Sequence, residues 1–178
     1  EIRSRGVRCV AVKANLFESE DCRRAVDETE RAFGRLDVLV NNASTSVDKT
    51  PASIENATDS QIMERFLGKT MAAIRCSRAA IPHMRKIGGG RIVCIGGTAA
   101  RSVSRSGDNL SPGSGLPQGL GNSALANFSK YLAEELAGDR ILVNVVHPHL
   151  VVTDRHASRV AAYARNHGLE EKDVEALF

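Results

Sequence analysis

The chain has 178 residues, 42% of them hydrophobic and 25% charged, with a formal net charge of +3; that is the size and make-up of one folded domain. Charges of both signs are interspersed, so nothing in the balance calls for nucleic acid or an anionic membrane. No stretch reads as a signal peptide, a membrane span or a repeat, which makes the cytoplasm the expected compartment.

Four cysteines, Cys9, Cys22, Cys76 and Cys94, lack C-x-x-C spacing. Cys9 and Cys94 fall in apolar strand-like runs and are expected as buried thiols in a reducing environment. The first residue is Glu1 rather than Met, and "EIRSRG" reads as the end of a helix already under way. The chain is therefore expected to be part of a longer protein.

In chain order, Arg8–Lys13 ("RCVAVK") is an apolar run of strand length. Ser19 to Phe33 places Cys22, Val26, Thr29 and Phe33 on one helical face, with acidic Glu20 and Asp21 in the first turn and Gly34 as a stop. Leu36–Val40 ("LDVLV") predicts a second strand, ending in "NNAS". A polar loop to about Thr58 precedes a long helical pattern over Asp59–Lys86, closed by Gly88–Gly90. Arg91–Ile95 ("RIVCI") is a third strand. Residues 97–118 form a long Gly/Ser/Pro-rich loop expected to border the active site. A helix over Asn122–Ala137, a strand at Ile141–Val146 ("ILVNVV") and two short helices, Ser158–Asn166 and Glu170–Leu177, complete the pattern.

Strands that alternate with helices and are apolar on both faces predict a single α/β domain, a doubly wound, Rossmann-like parallel sheet covered on both sides. Ligands of such sheets bind at the carboxyl ends of the strands. Gly115, Gly119 and Gly121 have G-x-x-x-G-x-G spacing ahead of the last long helix. No strand immediately precedes them, however, and Pro117 removes an N–H where phosphate would need one. A flexible loop closing onto a helix is the expected structure there.

The motifs "LDVLVNNAS", "AAIPHM", "GRIVCIGG" and "ILVNVVHPHLVVTD", in this order, resemble the short-chain dehydrogenase/reductase family over nearly the whole chain. The resemblance implies NAD or NADP as cofactor and a carbonyl/alcohol pair as substrate. It also implies that residues 1–178 are the central part of one domain, without the family's first two strands and its last. In the family's strand order, 3-2-1-4-5-6-7, Arg8–Lys13 is an outer strand that lacks its neighbours here. Carried over position by position, the cofactor would be bordered by Asn15, Leu16, Asn41, Asn42, Ala43, Ile95, Pro148, His149 and Thr153. Ser44, Asn15 and His149 stand where the family has glycine, aspartate and glycine.

The resemblance fails at the catalytic tetrad. The family uses a tyrosine as acid/base, a lysine four residues on that lowers its pKa, a serine that polarises the carbonyl and an asparagine that orders water. These positions fall at Gln118, Asn122, Gly97 and Lys69. No tyrosine occurs before Tyr131, and neither Tyr131 nor Tyr163 has a lysine four residues later. Three expectations follow: a catalytically degenerate member, an active reductase with relocated acid/base groups at Lys69 or His149, or a non-catalytic partner of an intact homologue. By the same resemblance, the helices at 59–86 and 122–137 would form a dimer or tetramer. His147, His149 and His156, with Asp154, read as loop residues, and no metal is expected.

Overall fold

The computed structural model describes residues 3–45, 54–102, 116–148 and 151–176. Helix α1 spans Ser19–Phe33, as its sequence pattern predicts, and buries Cys22 and Val26. Its solvent side carries i,i+4 pairs, Arg23–Asp27 and Arg24–Glu28, each worth a few tenths of a kcal/mol, so burial of the apolar face dominates. Gly34 ends it at φ 80°, donating its N–H to Glu30 O at 2.6 Å. That left-handed conformation is easy only for glycine.

Strand β1 is Val38–Asn41, β2 Gly90–Ile95 and β3 Ile141–Val146. They form a parallel sheet in the order β1-β2-β3, with Leu39 beside Ile92 and Ile92 beside Val143. The predicted helix over 59–86 is three pieces. Helix α2, Asp59–Arg65, opens with a capping box between Thr58 and Gln61. A π-helical turn, Phe66–Met71, follows, and α3 is Ala72–Lys86.

Helix α4 runs from Leu116 to Glu135, so it starts six residues before the predicted Asn122. The expected glycine loop is instead largely helix at Gly119 and Gly121. Pro117 is tolerated because first-turn N–H groups have no intrahelical partner. The missing Cβ of Gly119 eases the approach of the helix, since one there would lie 3.3 Å from Ala99 O, whereas a Cβ on Gly121 would make ordinary contact with Arg65 Cγ at 3.5 Å. Gly115 and residues 103–115 of the loop lie outside the described residues.

The core sits between one sheet face and the helices α1, α3 and α4, around Cys76, Met84, Ile92, Cys94, Leu125 and Ile141. The apolar strands predict cover on both sides, but among the described residues the second face is open. Val38, Val40, Leu142 and Val146 on that face are each about half exposed. Arg8–Lys13 forms no strand either. It lies beside α1, with Arg8 donating to Ala32 O and its guanidinium 5.0 Å above the Phe33 ring. A strand needs a ladder partner, and none of the three described strands adjoins this run. Cys9 is accordingly only partly buried, whereas Cys22, Cys76 and Cys94 are buried.

Helix α5, Asp154–His167, begins at a Thr153 cap, four residues before the predicted Ser158. It packs on α6, Glu171–Glu175, around Val160, Ala164 and Val174.

Candidate active site

The carboxyl end of β2 passes into Gly96 and Gly97, and three side chains close on that backbone. Lys69, from the π-helical turn, donates from Nζ to Gly96 O at 3.2 Å. His147, just past β3, places Nδ1 3.2 Å from Gly97 N and 3.0 Å from Gly97 O. It accepts from the first or donates to the second according to its tautomer. Asn122, on α4, lies against Gly97: a Cβ there would sit 3.0 Å from Asn122 Nδ2. A Cβ on Gly96 would come within 2.6 Å of His147 Nδ1, so the close approach requires glycine there.

The π-helical turn is fastened to α4 by Thr70, whose buried hydroxyl donates to Gly121 O at 2.9 Å. One turn before Lys69, Arg65 is 4% exposed and donates to Ser44 Oγ at 3.2 Å and to Thr45 O at 2.5 Å, holding the segment after β1. Burial lowers the Arg65 pKa. Burial, and then the neighbouring Arg65 charge, lower Lys69 to about 8. Both effects disfavour a second positive charge in a partly dry pocket. Asn122 is 4% exposed, and among the described residues its Oδ1 has no hydrogen-bond partner.

Three of the four tetrad positions, Lys69, Gly97 and Asn122, thus meet at one strand end. Gln118 stands one turn before Asn122 on α4, partly buried. Asn41 belongs to the scaffold, since its Nδ2 donates to Ser77 Oγ at 3.1 Å and ties β1 to α3. Asn42 and Ala43 are exposed beyond the end of β1, and Ile95 and Pro148 are half-buried at the ends of β2 and β3. Asn15 accepts from Phe17 N within its own turn, and Leu16 packs on the core while its carbonyl accepts from Arg75. Thr153 caps α5 by accepting from His156 N at 3.4 Å. His149 lies outside the described residues.

Sequence reasoning missed Arg65 and the role of His147 in holding Gly97. The one available signal for Arg65 was its position four residues ahead of Lys69 on the same helical pattern. Among the described residues, no three His, Cys, Asp or Glu side chains gather as metal ligands. No described helix is long and apolar enough to cross a membrane.

A parallel sheet with helices packed on it is the Rossmann-like architecture, whose ligands bind at the carboxyl ends of the strands. Residues 1–164 match the family model described as short chain dehydrogenase, and the chain belongs to that family. It is 30% identical over 173 residues to a short-chain type dehydrogenase/reductase of Picea abies, covering 97% of this chain and 60% of the relative. It is 31% identical over 155 residues to an NADPH-dependent aldehyde reductase-like chloroplastic protein of Arabidopsis thaliana, covering 86% of this chain and 54% of that one. Among solved structures, L-sorbose reductase from Gluconobacter frateurii, complexed with NADPH and L-sorbose, superposes with a TM-score of 0.81 at 28% identity. That match covers 96% of this chain and 61% of the reductase chain. The chain thus spans 54–60% of the length of these two curated relatives.

Proposed function

We propose that the chain is part of an NAD(P)(H)-dependent oxidoreductase fold for a carbonyl/alcohol pair whose usual proton-transfer residues have been replaced, leaving a ligand cleft of low catalytic power. The observation that carries this reading is the meeting of Gly97 with the Asn122 carboxamide at the end of β2. A glycine there has no hydroxyl for a substrate carbonyl. Neither Asn122 nor Gln118 exchanges protons near neutral pH.

The exposed Asn42 and Ala43, with Ile95 and Pro148, present open strand ends along which a nicotinamide dinucleotide would lie. When bound, that cofactor supplies or accepts hydride. This chain's residues would border it and orient a ligand beside it. Without an acid at the developing alkoxide, roughly 10²–10⁴-fold in rate is lost.

The test is titration of the full-length protein with NADH and NADPH, followed by turnover against a panel of aldehydes and ketones. Dinucleotide binding with feeble turnover is the expected result. Failure to bind either dinucleotide overturns the oxidoreductase reading, and kcat of about 10 s⁻¹, ordinary for enzymes, overturns the degeneracy.

One observation favours a second reading, in which Lys69 is the acid. Its pKa of about 8 is close to the operating pH of a general acid. In that case Lys69→Met abolishes residual turnover and Lys69→Arg does not restore it. Turnover untouched by Lys69→Met excludes it.

A further inference from the structure

Lys69 and Asn122 reach the same two residues of backbone from different helices, Lys69 at Gly96 O and Asn122 at Gly97. Each has an unmet demand, and the two demands differ in kind. Among the described residues no carboxylate pairs with Lys69, and Arg65 one turn earlier adds a second positive charge to its surroundings. Asn122 has the opposite need: among the described residues its buried Oδ1 is an acceptor with no donor. A halide answers the cation alone, and a water answers the oxygen alone. A small molecule carrying both a carboxylate and a hydroxyl answers both.

We propose that Lys69 and Asn122 form the seat of a small hydroxycarboxylate, with its carboxylate on the Lys69 ammonium and its hydroxyl donating to Asn122 Oδ1. The proposal rests on the reading of this cleft as the substrate site and names the class of ligand. An oxo acid keeps the charge but offers no O–H to Asn122, so the seat favours the alcohol of a carbonyl/alcohol pair. The lowered Lys69 pKa agrees in sign with an ammonium that gains stability when an anion arrives.

The test uses three matched three-carbon probes, with the full chain and no dinucleotide present. Lactate carries both groups, propionate lacks the hydroxyl and propane-1,2-diol lacks the charge. Calorimetric titration is expected to show lactate binding about tenfold more tightly than propionate, with no binding of the diol. Lys69→Met abolishes lactate binding, whereas Asn122→Leu makes lactate and propionate equal. Far-UV circular dichroism checks that each variant folds. Should one unfold, the lactate-to-propionate ratio on the unaltered chain still decides. Equal affinity for lactate and propionate, or undiminished lactate binding in folded Lys69→Met, overturns the proposal. A separate NADPH titration keeps the two readings apart. NADPH binding without a lactate preference overturns the seat alone, and a lactate preference without NADPH binding overturns the oxidoreductase reading alone.

Discussion

Thr70 Oγ1 donates to Gly121 O across 2.9 Å in a fully buried contact, joining the π-helical turn to the first turns of α4. The two elements carry Lys69 and Asn122, so this bond sets how far apart the two stand. Thr70→Val keeps the shape and removes the donor. It is expected to lower stability by about 1 kcal/mol, the net worth of a typical buried hydrogen bond. Urea denaturation reads the loss, and an unchanged midpoint would show that Gly121 O does not depend on the hydroxyl.

Lys69 gives the stability a pH dependence of known sign. Its folded pKa is about 8, below the ordinary lysine value of 10.5, first through burial and then through Arg65. Between those two values the unfolded chain binds more protons, so stability rises with pH across that window and is flat below it in this respect. Denaturation midpoints at pH 7.5, 9 and 10.5 should climb, and Lys69→Met should remove the climb. A fall over the same window in the unaltered chain, absent from Lys69→Met, would contradict the assignment.

Gly68 and Gly138 predict opposite outcomes for the same substitution. A Cβ on Gly68 would meet Thr45 Cγ2 at 2.2 Å and Phe17 Cζ at 3.0 Å, whereas one on Gly138 meets nothing within 4 Å. Gly68→Ala should cost about 1–3 kcal/mol as overpacking. Gly138→Ala should be neutral or stabilising by up to about 1 kcal/mol. Thermal melts of the two variants side by side make the comparison, and equal shifts would refute it.

The cysteines should react in order of access. Burial, followed by the neighbouring Cys22, pushes the Cys76 thiol up to about 12, so almost no thiolate is present at neutral pH. Cys9 is only partly buried. Iodoacetamide on the folded protein should label Cys9 first, and Cys22, Cys76 and Cys94 only after denaturant is added. Peptide mass spectrometry assigns the label, and early alkylation of Cys76 would contradict its placement.

Much of this fold is legible in the sequence where a signal is local and agrees with packing. Helix α1 carries its own acidic start and glycine stop, and β2 and β3 are short apolar runs between turn residues. Arg8–Lys13 has the same local pattern, but pairing is a property of neighbours, and no composition states which neighbours are present. The start of α4 was hidden for the converse reason: Pro117, Gly119 and Gly121 discourage a helix one residue at a time, yet Pro117 falls in the first turn and Gly119 lies close to Ala99 O.

The candidate site was legible as a set of positions, because Lys69, Gly97 and Asn122 follow from motif order. What they do was not. The unpaired acceptor at Asn122 Oδ1, among the described residues, and the burial of Arg65 arise from three separate segments meeting, and neither has a signature in sequence spacing.

The wide turn at Phe66–Met71 has a consequence for chain length. Each residue of an α-helix advances the helical wheel by about 100°, so phase is normally shared by everything on one rod. Here the rod must satisfy two clients: Lys69 facing Gly96, and the stripe of Cys76, Ala80 and Met84 facing the sheet core. A π-turn absorbs a residue that an α-turn would not, which lets the two halves keep different phases. Deleting one residue there would force a single phase on both, turning either the lysine or the core stripe into solvent. Length at this turn is therefore under tighter constraint than the identity of most residues in it.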